Sequence, residues 1–296
     1  MTYFIDLLIV GLSIGMVYAL IAIGISLIYS GLDIVHFAHG EIYMVGAFIG
    51  LVLFNTVGLP YPLAILGSMI LTGLLGVFIE RVFYRRLTAR GGGYTVAGLG
   101  MIISGFGMSI VLQNAAYLIW GAKPLPFLVR FGMPVEIGSI ALPASYLWIV
   151  VAALFLMTVL HLFLTRTPLG LAVRAVAHNK EIASLMGINV PLMISVIFGI
   201  ACALGAAAGV LIGPINYVSV LMGTAILIKA FAAAVIGGFG NLPGAILGGL
   251  IVGITESLGA GYLSGSYKDI YPFILMIAVL MFRPAGLFGT IAKMKA

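Results

Sequence analysis

The chain alternates between long apolar runs and short breaks made of Gly, Pro and charged residues. Nine runs approach the length of about 20 residues that an α-helix needs to cross a bilayer. They lie near 4–29, 36–54, 61–83, 96–119, 146–164, 192–212, 224–240, 243–260 and 270–284. The pattern predicts an all-α fold, a polytopic transmembrane helix bundle with eight to ten spans, some broken or re-entrant. The count becomes eight or ten if 224–260 is a re-entrant pair or 31–41 a broken helix. Two stretches read as interruptions: Ser30 to Glu41, with four ionisable groups between apolar runs, and Ile236 to Gly244, rich in Gly. Non-helical backbone at membrane depth persists only where protein or a water-filled path satisfies its polar groups. Such interruptions point to a transport pathway. The two do not align with each other, so no internal repeat follows.

Glycine falls at four-residue spacing in Gly11/Gly15, Gly46/Gly50, Gly205/Gly209, Gly244/Gly248 and Gly249/Gly253. Small residues at that spacing flatten one helix face and let backbones approach where lipid supplies no hydrophobic drive. Helix packing is the reading for most of them.

Composition agrees. Hydrophobic residues make up 63% and charged residues 7% of 296 positions, with a mean hydropathy of +1.27. A soluble domain carries about 25% charged residues, so this chain cannot cover a water-facing surface. A single transmembrane domain over 1–296 is the simplest organisation. Ten of the fourteen Lys and Arg fall in three clusters: Arg81, Arg85, Arg86, Arg90; Arg166, Arg174, Lys180; and Arg283, Lys293, Lys295. Basic short loops stay cytoplasmic. That puts 165–190 inside and 120–145 outside, the N-terminus outside and the C-terminus inside. No segment interleaves basic and polar residues on one solvated face, so the net charge of +6 does not indicate nucleic acid. The single Cys202 excludes a disulfide within the chain and argues against a Cys-based metal site. The first residues carry no basic region or small-residue cleavage site, and read as a retained first span.

The inner segment 165–190 is the most informative. Thr167 and Pro168 suit an N-cap and first turn, Asn179 can cap a second short helix, and Gly187 can end it. Leu171, Ala175 and His178 then share a face, continued by Ile182, Leu185 and Met186. A mere connector would be shorter and more polar. Two short helices with an apolar cytoplasmic face predict docking into another protein, the alternative being an amphipathic helix resting on the bilayer.

The pattern Arg174-Ala175, Asn179-Lys180-Glu181, Ala183 and Met186-Gly187-Ile188 resembles the coupling segment of ABC importer permeases. Gly15-Met16-Val17-Tyr18-Ala19-Leu20, Phe37-Ala38-His39-Gly40-Glu41, Lys229-Ala230-Phe231, Gly237 to Gly244 and Phe282 to Gly289 together resemble the LivH-type branched-chain amino acid permeases. The likeness runs over nearly the whole chain, in order, and departs at His36, where relatives often carry Asn. It implies a bacterial inner-membrane subunit that pairs with a second homologous permease. Two ATP-binding subunits would dock beneath and hold ATP and Mg, and a periplasmic substrate-binding protein would deliver Leu-, Ile- or Val-type amino acids. No cofactor is implied in this chain. Related permeases carry urea, amides or aromatic acids. The sequence has no G-x-x-x-x-G-K-[ST] loop to cradle nucleotide phosphates, and Gly91-Gly92-Gly93-Tyr94-Thr95 lacks the Lys.

Ionisable residues inside a membrane cost roughly 3 kcal/mol each on insertion scales, so each is a candidate for function. Lys229 lies deepest in an apolar context and could pair with Glu256 of the next span. A structural ion pair or a Lys snorkelling to the interface are the plainer readings. Glu41, His39 and Asp33, near the inner end of the second span, could cap half-helices or gate the path, with His36 beside them. The spacing of His36, His39 and Glu41 matches no strong metal motif. Glu80, Gln113 and Asn114 suit interhelical hydrogen bonds. The outer segment 120–145 is the natural surface for a delivery protein, and Trp120, Tyr146 and Trp148 mark the outer headgroup level. A different class, a gradient-driven transporter or channel, would use Glu41, Lys229 and Glu256 as a relay and has no need of a coupling segment. A membrane enzyme would need a clustered nucleophile and base, and none is evident.

Overall fold

The computed structural model describes residues 2–89, 94–129, 131–137 and 140–289. Twelve helices follow in order: α1 Thr2–Leu32, α2 His39–Leu51, α3 Tyr61–Ile79, α4 Arg85–Ala89, α5 Tyr94–Trp120, α6 Ala144–Arg166, α7 Pro168–His178, α8 Lys180–Leu185, α9 Val190–Asn216, α10 Met222–Gly237, α11 Leu242–Tyr262 and α12 Ile270–Phe282. Five-residue π-helical turns extend α2 and α3. Six helices are long and apolar enough to cross a membrane, and α10 and α12 are shorter apolar helices. With α2, each of the nine apolar runs is a helix. The protein is therefore a multi-pass, all-α membrane bundle. A two-stranded hairpin, β1 Val135–Ile137 with β2 Ile140–Leu142, is the one sheet among the described residues.

α1 and α9 are buried along most of their length and form the centre. α10 and α11 pack on one side, α2 and α3 on another. The glycine pairs are the reason these helices come so close. A Cβ added at Gly11 would meet Ile254 Cα at 2.8 Å, and one at Gly15 would meet Leu250 Cα at 2.9 Å, so α1 and α11 touch backbone to backbone. Gly46 and Gly50 face Ala206 and Val210 of α9, and Gly209 faces Tyr43 and Ala47 of α2. Gly244 and Gly248 sit against Gly237 and Ala233. All five pairs predicted from spacing are packing seams.

The bundle has a basic end and a hairpin end. At the basic end Arg85 binds Glu80 at 3.2 Å, Ser195 Oγ at 2.7 Å and the Pro191 carbonyl at 3.0 Å. That fixes the end of α3 to the start of α9. Ser195 also donates to the buried Glu80 at 2.6 Å. At the hairpin end Leu125 and Val218 exchange backbone hydrogen bonds of 2.8 and 2.9 Å, and Asn55 holds Pro126 and Leu128. Trp120, the last residue of α5, stacks on Phe48 at 4.6 Å.

Two connections leave the helix inside the bundle. Residues 33–38 run from the basic end into the interior, and α2 begins there: His39 meets Gly24 of α1 and Gly205 of α9. Gly205 lies about 22 Å along α9 from its first residue, at 1.5 Å per residue. Residues 217–221 do the same before α10. Each break opens on a non-glycine residue with positive φ, Asp33 at 58° and Tyr217 at 57°. Asp tolerates that region. Tyr217, with ψ of 160°, takes a conformation otherwise kept for Gly, and such strain costs about 1–3 kcal/mol. The predicted break at 30–41 is therefore real. The predicted break at 236–244 is not a mid-membrane interruption but a tight turn at the basic end. There Asn241 accepts a hydrogen bond from Gly244 N at 2.9 Å and caps α11.

Candidate functional site

The segment 165–190 folds as its capping residues dictate. Thr167 Oγ1 accepts from Gly170 N at 3.0 Å and opens α7; Asn179 Oδ1 accepts from Ile182 N at 2.9 Å and opens α8. Gly187, at φ 80°, ends it. Gly170, Val173 and Val176 bury the underside of α7, and a Cβ at Gly170 would collide with Phe163 O. The other face stays open. Leu171, Ile182, Leu185 (87%) and Met186 (77%) are exposed, with Arg174, Asn179, Glu181 and Gly187 beside them, and Ala175 is half-buried. Ala183 departs from expectation. It is only 2% exposed, because α8 lays that side on the bundle and the Ala183 carbonyl accepts from Ile188 N at 3.1 Å. It anchors the segment rather than offering a surface. Asp33 sits at the basic end, where Lys180 Nζ binds it at 2.6 Å with the carboxylate side chain 73% exposed.

The second feature is a buried ion cluster. Lys229 Nζ stands 2.6 Å from Glu256 Oε1 and 2.6 Å from Asp269 Oδ1. Tyr18 Oη donates to Glu256 Oε2 at 2.6 Å, and the Tyr18 ring centroid lies 5.8 Å from the ammonium. Lys229 and Glu256 are nearly sealed from solvent, whereas the Asp269 side chain is 65% exposed. The hydrogen bond from Lys229 holds the Asp269 carboxyl below its ordinary pKa. The predicted partner of Lys229 is thus correct and incomplete. Asp269 and Tyr18 escaped notice because they lie 40 and 211 positions away in sequence, on other elements. This cluster forms the polar side of a cavity of about 260 Å³ between α1, α2, α9, α10 and the start of α12.

The third feature is the junction where α2 and α10 both begin. Gly40 and Gly223 pack against each other, and Glu41, 1% exposed, accepts from Thr224 Oγ1 at 3.0 Å and Ser109 Oγ at 3.4 Å. His36 and His39 are sealed, with ring centroids 6.4 Å apart. His36 Nδ1 shares a 2.7 Å hydrogen bond with Tyr84 Oη. His39 and Glu41 therefore lie deep in the bundle, not at the inner end of a span. Among the described residues no three His, Cys, Asp or Glu side chains gather as a metal site would require. Gln113 donates to the Val220 carbonyl at 3.3 Å and Asn114 to Ile110 of its own helix at 2.8 Å.

Comparison with known proteins places this architecture. The family described as branched-chain amino acid transport system / permease component matches residues 7–280. The chain is 41% identical to the high-affinity branched-chain amino acid transport system permease protein BraD of Pseudomonas aeruginosa, over 97% of this chain and 96% of that protein. It is 36% identical, over the same shares, to the LivH permease protein of Escherichia coli strain K12. The solved structure of PsaBC from Streptococcus pneumoniae in complex with Fab shares the fold. Its TM-score is 0.52, at 15% identity, covering 97% of this chain and 94% of that one.

Proposed function

This chain belongs to the branched-chain amino acid transport permease family, and we propose that it is the translocation subunit of an ATP-driven importer. The substrates would be Leu-, Ile- and Val-type amino acids, carried into the cell across a bacterial inner membrane by alternating access. The basic end faces the cytoplasm, in line with the bias of Lys and Arg toward it. The N-terminus and the hairpin face the periplasm, where a substrate-binding protein docks on 120–145.

One observation carries the reading: a folded two-helix segment, capped at each joint and buried on one side, that turns bare Leu185 and Met186 to solvent. Exposed apolar groups in such a cluster mark a surface meant to be covered. Two ATP-binding subunits cover it, one on this chain and one on a second homologous permease. They hold the ATP and Mg, since this sequence offers no phosphate-binding loop. Arg174, Ala175, Asn179, Glu181, Met186 and Gly187 form the contact, and Ala183 fixes the segment to the bundle. Asp33, through Lys180, links the same segment to the connection 33–38 that enters the interior. A gradient-driven relay finds less support. Glu41 hydrogen bonds only Thr224 and Ser109 among the described residues, and shares no bond with the Lys229–Glu256 pair.

Reconstitution tests it. The four membrane and nucleotide-binding subunits in proteoliposomes, with the binding protein outside, should import leucine only with ATP and Mg within. This chain alone should hydrolyse none. Leucine uptake by the isolated chain under an imposed proton or sodium gradient would overturn the proposal.

A further inference from the structure

The cavity beside Lys229 has a chemistry more specific than a path. An ammonium carries three N–H donors, and two of Lys229's are spent on Glu256 and Asp269. These two carboxylates are not equivalent. Glu256 is buried, and Tyr18 satisfies its second oxygen, so leaving it unpaired is costly. Asp269 stands at the mouth, mostly in solvent, on the connection before α12. An exposed ion pair contributes little and is easily exchanged. Ile14, Val17, Ile212, Met222 and Ile226 give the wall a hydrocarbon face, and Tyr43, Asn216, Tyr217 and Lys268 add polar groups elsewhere on it. At about 260 Å³ the space lies below the roughly 300–1,000 Å³ typical of drug-sized ligands, and suits a small molecule.

The geometry points to this cavity as a binding station for the zwitterion of an apolar α-amino acid, held at both charged ends by exchange with Asp269. The inference rests on the importer reading and names the groups that recognise its cargo. The ligand carboxylate replaces Asp269 on Lys229. The freed Asp269, with Glu256, accepts from the ligand ammonium, and the side chain lies on Ile14, Val17 and Ile226. A zwitterion has no net charge, so the cluster's charge balance is the same full and empty. A simple carboxylic acid brings no ammonium for the freed Asp269, and an amide brings no carboxylate for Lys229, so each makes one charge-assisted contact fewer than the zwitterion. Occupancy also breaks the ion pair that Asp269, at the start of α12, makes with Lys229 of α10.

The test uses the full complex, solubilised without its periplasmic binding protein, and tritiated L-leucine displaced by unlabelled leucine, leucinamide or 4-methylpentanoate. Leucine should displace the label, and each analogue, lacking one charge-assisted contact, should compete about tenfold less well. Ala225, exposed at the cavity wall, gives the variant: Ala225→Trp fills the space and should abolish binding in a complex that still co-purifies with all its subunits. Asp269→Asn should weaken leucine about tenfold. Equal competition by leucinamide, or full binding to Ala225→Trp, overturns the station. So does undetectable binding to a complex that still imports leucine. ATP-driven uptake by the wild-type complex with its binding protein is measured in parallel. Uptake that persists in Ala225→Trp sinks only this inference, whereas absent wild-type uptake sinks the importer reading itself.

Discussion

Replacing Lys229 by Met leaves an unbranched side chain one atom shorter and removes the cation paired with Glu256. Glu256 is 6% exposed, and Tyr18 still donates to one of its oxygens. Removing one partner of a buried pair costs about 3–5 kcal/mol, mainly from the charge left behind. The retained Tyr18 bond puts Lys229→Met near the lower bound, at about 3 kcal/mol. The lost Asp269 contact adds no more than about 1 kcal/mol, since that carboxylate is in solvent. At roughly 2 °C per kcal/mol for a chain of this size, the apparent melting temperature in detergent should fall by about 6 °C. The decisive arm is the double variant Lys229→Met/Glu256→Gln, in which neither member of the pair carries a charge. It should recover more than half of the loss, because the penalty belongs to the orphaned carboxylate and not to the missing pair. A single variant that melts within about 1 °C of wild type would refute the reasoning. A double variant worse than the single one would do the same.

Three further outcomes follow from burial and packing. Leu185→Glu, on the open face of α8, should leave the subunit inserted while ATP hydrolysis and uptake become uncoupled in the reconstituted complex. Ala183→Glu should instead lower the yield of folded protein, and a stable but uncoupled Ala183→Glu would return that residue to the docking face. Gly15→Leu forces a side chain into Leu250 Cα, where overpacking costs about 1–3 kcal/mol or more; wild-type thermal stability would deny the backbone contact.

Much of this fold is written in local pattern. All nine apolar runs became helices because length and hydropathy decide that outcome in a membrane. Thr167, Asn179 and Gly187 set the ends of α7 and α8 through hydrogen bonds that reach only three to five residues. Depth and facing were harder to read. Ala183 carries the same small apolar signature whether it faces a partner or the bundle, and only the docking of α8 decides. The Gly-rich stretch 236–244 resembles a broken span as much as a turn, since glycine permits both. The second true break, at 217–221, has a Tyr where glycine would have betrayed it. Lys229 pointed to Glu256 because both stand out against apolar neighbours. Asp269, in a polar connection with Lys268, carries no such contrast.

The seam between α1 and α11 bears on how such a molecule changes shape. Gly11 and Gly15 lie directly on the main chain of Gly253, Ile254 and Leu250, so at these positions no long side chain stands between the two helices to switch rotamer and let them slip. The pair behaves as one rigid plank through the centre of the bundle. Any rearrangement that closes one mouth and opens the other is then taken up where the backbone is not helical, at 33–38 and 217–221. The two short helices that begin there, α2 and α10, become the wedges that tilt against a fixed keel.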